Sequence, residues 1–480
     1  MSNEHKDFDS LGNDFLSEID NAISKINQML EKDANFDYWD INSEMIKDDS
    51  IFASDSSIEN ISSNFRRSLS LRVFHKSRMG FGYTESFDNA SIRNFISNTI
   101  KSLEAMSSIK DGDANDYEIF TDKGIFDHKS IKQKIKLSDV SLPEKIKDIS
   151  DARRSVGEFE HKTSFRNVYK ETLKQKGYFS SNSDHILQDL SYVSFASVAS
   201  SFGKSVEQGF FKKGFQGGYE ISEFFPSVVK KAGDMSSLLQ KAIVPKGGKF
   251  KVITDPELTE VFIHEALGHA SESDIVMNND SCLKGKMGEK ISKDFVNVFD
   301  DSTVDGSWGS FFYDDEGIPA QKTPIIKKGI LNNFLYSRHT AKVFGKKPTS
   351  NGRAQNPSFM PIVRMSNTYL EKGNSDLDDM ISDTDGYMLI GSKGGQVDTL
   401  TGDFQFNAMY GYKIEKGKLS YPIKGVSLAG NTLKLLKNIE SVSKQTGDGM
   451  PGFCGKDGQT VPVVGRNPYL LLKDATVGGL

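Results

Sequence analysis

Glycine is unevenly distributed along this chain of 480 residues: of its 42 glycines, 13 lie in residues 1–240 and 29 in residues 241–480. Glycine weakens helix interiors and favours tight turns, so the second half is expected to be turn-rich. Length adds a second constraint, because a single hydrophobic core stops growing near roughly 250–300 residues. The chain must divide into two or three parts.

Hydrophobic periodicity shows where. Leu11, Phe15, Ile19, Ile23, Ile26 and Leu30 recur at three- and four-residue steps, which predicts an amphipathic helix over 10–32. Leu69, Leu71 and Val73 alternate with Ser70, Arg72 and Phe74 as in a strand, and Ile92, Phe95, Ile96, Ile100 and Leu103 form a second helical stripe. Residues 109–140 are charged and weakly periodic and read as a linker. Within them DGDANDYEIFTD (111–122) is superficially similar to a calcium loop, but Asp116 occupies the sharp-turn position that needs glycine, so it reads as a solvated acidic loop. Ser141 and Glu144 are spaced as a capping box opening a helix through Val156. Alternating runs such as YVSFASVAS across 163–213 predict an antiparallel sheet, a helix follows over about 222–243, and VPKGGK reads as a hinge. The expectation is an α+β chain: an N-terminal α/β domain (1–108), a linker (109–140), a middle antiparallel β-rich domain (141–244) and a β-rich C-terminal domain (245–480).

Composition excludes several function classes. Sixty Lys+Arg against 65 Asp+Glu leave a formal charge of −5, too acidic for a general nucleic-acid binder. The N-terminal MSNEHKDFDS has no apolar segment, and no run of about 18 apolar residues exists to span a membrane. Two cysteines, Cys282 and Cys454, make no disulfide framework and fit a reducing, cytoplasmic setting.

The chemistry concentrates at HEALGH. Asp255-Pro256-Glu257 opens a helix with an N-cap aspartate, a proline at the first helical position and a carboxylate at the positive end of the dipole. Along it stand His264, Glu265 and His269, an HExxxH arrangement. On a regular α-helix, at about 100° per residue, positions i and i+5 lie about 140° apart and cannot hold one ion. Either the histidines are unrelated, or a π-bulge widens the turn and brings both imidazoles to one side, with Gly268 lowering the cost of the distortion. In the second case imidazole ligands favour zinc, and Glu265 is placed to take a proton from an activated water. A third ligand is needed; Cys282, Cys454, Glu272, Asp274 and Glu289 are the candidates. Cys454, framed by glycines in PGFCGKDGQ, has the setting of a turn, whereas Cys282 lacks that framing.

Beyond HEALGH, the segments DDSTVDGSWGSFFYDDEGIPAQKTPIIKKGIL (300–331), PSFMPIVRMSN (357–367), GGQVDTLTGDFQFNAMYGYKIEKGKLSYPIKGVSLAGN (394–431) and GMPGFCGKDGQTVPV (449–463) appear in order. With them the chain resembles the TldD/PmbA family of metallopeptidases, most closely its motif-bearing, catalytic TldD type. The resemblance implies a zinc site with His264, His269 and Cys454 as ligands and Glu265 as general base. It also implies unfolded or short peptides as substrates, and either a homodimer or a heterodimer with a PmbA/TldE-type paralogue. Two alternatives stand beside it: a non-catalytic peptide-binding subunit, and a dipeptidyl peptidase III-like enzyme, which shares the HExxxH helix but takes a glutamate as third ligand. Of the remaining motifs, DDEG (314–317) reads as a hairpin turn, and GGQVDTLTGDF as either a substrate-bearing loop or a plain hairpin. Arg338, His339 and Tyr410 are candidates for stabilising an oxyanion.

Overall fold

The computed structural model describes residues 8–30, 36–55, 57–107, 118, 119, 121 and 123–479. Four strands of the first half are unusually long: β1 (Tyr38–Ser54), β2 (Ile58–His75), β5 (Lys162–Ser180) and β6 (His185–Phe202) run 17 to 19 residues. With β3 (Arg78–Thr84), β4 (Phe126–Ser130) and β7 (Val206–Gln216) they form one seven-stranded sheet, ordered β3-β2-β1-β5-β6-β4 with β7 also on β6. Strands of that length span roughly 60 Å, more than one helix pair can cover. The sheet accordingly carries two cores side by side. Helices α1 (Phe8–Leu30) and α2 (Asn89–Ser107) bury Phe15, Ile19, Ile26, Ile92 and Ile96 against Ile41, Met45, Leu69 and Leu71. Helices α3 (Leu142–Ser155) and α4 (Phe225–Leu239) bury Ile149, Phe225, Val228 and Ala232 against Ile51, Phe165, Val193 and Phe195.

β1 thus feeds both cores from its odd-numbered side. Segments 1–108 and 141–244, expected as separate domains, place their strands in a single sheet, with β1 and β5 in antiparallel register from Asp40↔Ser180 to Ser54↔Arg166. The expected linker is also partly ordered secondary structure: Phe126–Ser130 is β4, parallel to β6, and Leu137–Asp139 makes a 3₁₀ turn. Most of the acidic loop 111–122 lies outside the described residues. The Ser141/Glu144 capping box is present at the start of α3.

Among the described residues, the even-numbered side of the sheet carries no helix, and it faces the C-terminal half. Arg72 donates to both oxygens of Asp40 at 2.8 and 2.7 Å and to Glu316 at 2.9 Å. Gln188 accepts from the backbone N–H groups of Phe312 and Tyr313. The C-terminal half is organised on a nine-stranded mixed sheet, in which β8 (Gly248–Thr254) pairs parallel with Gly386–Ile390 and antiparallel with Arg466–Gly479. Its core takes in Phe262, Ile263, Ala266, Leu267 and Ala270, so the segment after β8 is held rigidly from one side. No helix of the described residues is long and apolar enough to cross a membrane.

Candidate metal centre

Directly after β8, Asp255 accepts a hydrogen bond from Leu258 N at 2.9 Å and starts the helix α5 (Pro256–Val261). From Phe262 to Gly268 the helix widens into a π turn, in which the backbone N–H of His269 reaches His264 O, five residues back. A 3₁₀ turn, His269–Ser271, then tightens it again. The widened turn brings the two imidazoles together, with ring centroids 5.2 Å apart and planes at 86°. Gly268 plays a different part from the one expected. Its φ of −61° and ψ of −54° are open to any residue, so it relieves no backbone strain. A Cβ at this position would instead overlap the sulfur of Met365, and glycine is there because that side chain packs against the turn.

Cys454 comes from a separate element, the hairpin of Gly452–Lys456 and Gln459–Val463. Asp457 and Gly458, both at positive φ, close it in the manner of a two-residue turn. Alternation along the first strand points Cys454 and Lys456 toward the π turn and Phe453 away from it. Arg364 holds the hairpin by donating to Cys454 O and, at 3.3 Å, to Gln459 O. Lys456 Nζ bridges to Glu272 at 3.1 Å, to Asp274 at 2.8 Å and to Val363 O at 3.0 Å. At the base of the hairpin Gly449 N–H bonds Gly465 O, and Gly465 N–H donates to Glu260 Oε1 at 2.7 Å. Glu260 stands one turn before His264, so its carboxyl, pushed well above the usual carboxylate range by burial, ties the hairpin to the histidine helix.

The ligand atoms of His264, His269 and Cys454 lie within 4.8 Å of one another, and all three residues are buried. Cys454 Sγ is 3.3 Å from His269 Nε2. A tetrahedral zinc with ligands at roughly 2.1 and 2.3 Å separates them by about 3.6 Å, so the set fits that ion in chemistry and in spacing. The other ring nitrogen of His269 pairs with Glu272 Oε2 at 2.9 Å, which directs Nε2 toward the thiol. Burial works against the Cys454 thiolate, but the neighbouring imidazoles outweigh it and bring the thiol down to about 5. Burial likewise opposes charge on Glu272, yet Lys456 and His269 hold its carboxyl at about 2. Glu265 Oε2 lies 3.7 Å from His269 Nε2 with its side chain 34% exposed, at the open side of the cluster.

The other candidates are engaged elsewhere. Cys282 sits beside Gly402, Glu272 backs His269 rather than joining the cluster, Asp274 is bound to Lys456, and Glu289 forms a surface pair with Lys286. Arg338 donates to Glu316 O, His339 Nδ1 lies 2.8 Å from Glu118 O, and Tyr410 packs on Tyr412. DDEG is a turn, as expected, but a buried one: Asp314, Asp315 and Glu316 are each less than a tenth exposed. GGQVDTLTGDF forms a plain hairpin, pairing Gly395–Val397 with Phe404–Phe406 at an end of the nine-stranded sheet. Lys456, Arg364 and Glu260 were not anticipated. Each acts on a residue some 90 to 205 positions away, and only the glycines of PGFCGKDGQ hinted at a hairpin.

Comparison with known proteins gives concordant matches. Residues 247–479 match the family model described as PmbA/TldA metallopeptidase C-terminal domain, and residues 39–103 match PmbA/TldA metallopeptidase domain 1. The chain is 35% identical over 461 residues to a protein of Methanothermobacter thermautotrophicus named metalloprotease, covering 94% of this chain and 97% of the relative. It is 36% identical over 241 residues to a Saccharolobus solfataricus protein named zinc metalloprotease TldD homolog, covering 50% of this chain and 54% of that one. Among solved structures, TldE from Thermococcus kodakarensis shares the fold at 18% identity, with a TM-score of 0.79 over 95% of this chain and all of that one.

Proposed function

The chain belongs to the PmbA/TldD metallopeptidase family, and from that premise we propose that it is a zinc-dependent peptidase in which His264, His269 and Cys454 hold the ion and Glu265 is the general base. The observation that carries this reading is the convergence of two imidazoles from one π turn with a thiol from a hairpin 185 residues further on. When bound, zinc supplies Lewis acidity toward a peptide carbonyl and toward water. Glu265, adjacent to the first ligand and open to solvent, takes the proton from the attacking water and returns it to the leaving amine. His269 is kept in one orientation by Glu272, and Cys454 is held by the Arg364 and Lys456 clamps, so the ligands need little rearrangement to bind. Unfolded or short peptides are the substrates of this reading, taken in extended form.

The test is direct. Purified chain should contain about one zinc per chain and cleave short peptides, and Glu265→Gln should keep the metal while losing cleavage by roughly 10²- to 10⁴-fold. Unaltered cleavage by that variant overturns the assignment. Cys454→Ala should lose zinc, which separates this site from one with a glutamate as third ligand; Glu272, the nearest buried glutamate, is already committed to His269 and Lys456. A purely peptide-binding subunit would show no turnover alone. Turnover without a second polypeptide, together with the mass in solution, distinguishes a homodimer from a heterodimer with a PmbA/TldE-type paralogue.

A further inference from the structure

Between the helix-free face of the seven-stranded sheet and the C-terminal half lies a cavity of about 560 Å³ that the proposed chemistry does not use. Its apolar wall includes Phe52, Val168, Tyr192, Trp308 and Phe453. Its charges are Glu44 and Asp48 against Arg66, Lys170, Lys174 and Lys212. Two of these cations are neutralised: Lys174 pairs with Glu44 at 2.8 Å and Arg66 with Asp48 at 3.2 Å. Among the described residues, Lys170 and Lys212 have no carboxylate within ion-pair distance. Lys212 Nζ makes one hydrogen bond, to Pro451 O at 3.0 Å, and lies 5.1 Å from the Trp308 ring centroid. An ammonium carries three donors, so two remain to be satisfied at the cavity wall. Burial, and then Lys170, lower the Lys212 ammonium to about 8, which leaves it largely charged at neutral pH and short of an anion.

We propose that this cavity binds a peptide carboxylate, either a C-terminal group or an Asp or Glu side chain, through Lys212 with Lys170, while a neighbouring apolar side chain packs on Trp308 and Phe453. The carboxylate meets the free ammonium donors as a charge-assisted hydrogen bond in a partly desolvated site. The aromatic wall supplies apolar contact beside it. Phe453 directly precedes Cys454, and the two side chains leave opposite faces of one strand, so an anchored peptide bears on the strand that carries the thiol. The site rests on the peptidase reading for the identity of its ligand, and gives that reading a preference for acidic peptides.

The test uses the full-length Glu265→Gln protein with zinc, so that binding is read without turnover. Hexapeptides differing only by Glu or Gln at one position, each with a free or amidated C-terminus, are titrated by calorimetry. The expected result is tighter binding of the carboxylate-bearing members, and the two arms show whether the side chain or the terminus is read. Lys212→Gln should weaken those peptides about tenfold and leave the neutral, amidated peptide unchanged. Lys170→Gln, an exposed change that tests the site even where Lys212→Gln fails to fold, should weaken them about threefold. Equal affinity of neutral and acidic peptides, no binding of any, or equal losses for both classes overturns the proposal. The two readings fail separately. Wild-type cleavage with no carboxylate preference overturns the cavity assignment alone, whereas carboxylate-selective binding with no cleavage by the wild-type chain overturns the peptidase assignment alone.

Discussion

Gly268 shows how a single residue can be read correctly as important and wrongly as to why. HEALGH marks it as the flexible position before the second histidine, yet its backbone is ordinary and its constraint is the Met365 sulfur lying where a Cβ would be. Gly268→Ala must therefore displace Met365 or the π turn, with an expected loss of about 1–3 kcal/mol. Urea unfolding measures that loss, and Met365→Ala in the same chain should recover part of it, since the two changes share one space. Additive losses in the double variant would refute a clash between them. The same contrast runs through the site. His264, Glu265 and His269 are legible because their geometry is local, a matter of residues per turn along one helix. Cys454 is one of several candidate third ligands in the sequence, favoured by its glycine framing and singled out only by the family resemblance. Lys456 becomes a clamp only because the fold brings Glu272 and Asp274, just beyond the histidine turn, against the hairpin that carries it.

Among elements, those with one buried stripe are legible and those with two buried faces are not. The helices α1, α2, α3 and α4 fall close to their expected spans because apolar residues recur on a single side. β1 escapes notice because its even-numbered side carries the polar residues Asp40, Asn42 and Glu44, of which Asp40 and Glu44 are buried and Asn42 is half-buried. Alternation in hydropathy signals a strand with one wet face, and a polar face that is dry looks the same in sequence. The start of the histidine helix carries a consequence of such burial. Burial first, and then Asp255, raise the Glu257 carboxyl to about 8, and burial raises Asp255 to about 6. Both are acids whose folded value exceeds the unfolded one. The folded chain thus keeps protons that the unfolded chain releases above about pH 4, and stability falls as pH rises toward 6 for Asp255 and toward 8 for Glu257. The slope is up to about 1.4 kcal/mol per pH unit for each group still protonated. Unfolding midpoints measured between pH 5 and pH 8 should decline, and Glu257→Gln should flatten the upper part of that decline. An unchanged slope in the variant would show that Glu257 is ionised in the folded chain.

At the scale of the whole molecule, one long sheet replaces the two domains that the charged stretch 109–140 suggested. That stretch is polar partly because its β4 runs along the end of the sheet with Phe126, His128, Lys129 and Ser130 exposed, so composition alone cannot tell it from a linker. The sheet and the C-terminal half are joined by apolar contacts, by the Gln188 hydrogen bonds and by a buried ion-pair network. Arg72, fully buried, is shared between Asp40 of its own sheet and Glu316 of DDEG, with Tyr178 also donating to Asp40 at 3.3 Å. Removing the guanidinium takes the paired positive charge from two buried carboxylates and leaves them neutral donors such as the Tyr178 hydroxyl and the Arg338 backbone N–H, so Arg72→Met is expected to cost about 3–5 kcal/mol even though the new side chain fills much of the space. Calorimetry should then show two transitions in place of one, because the nine-stranded sheet keeps its own core while the seven-stranded sheet loses a contact that couples them. Combining Arg72→Met with Glu316→Gln removes one of the stranded charges and should restore part of the loss; the coupling between the two changes measures the latch itself. A single transition with an unchanged midpoint in Arg72→Met would mean that the apolar contacts across the interface, such as Tyr192 against Trp308 at 5.3 Å, hold the halves together without it.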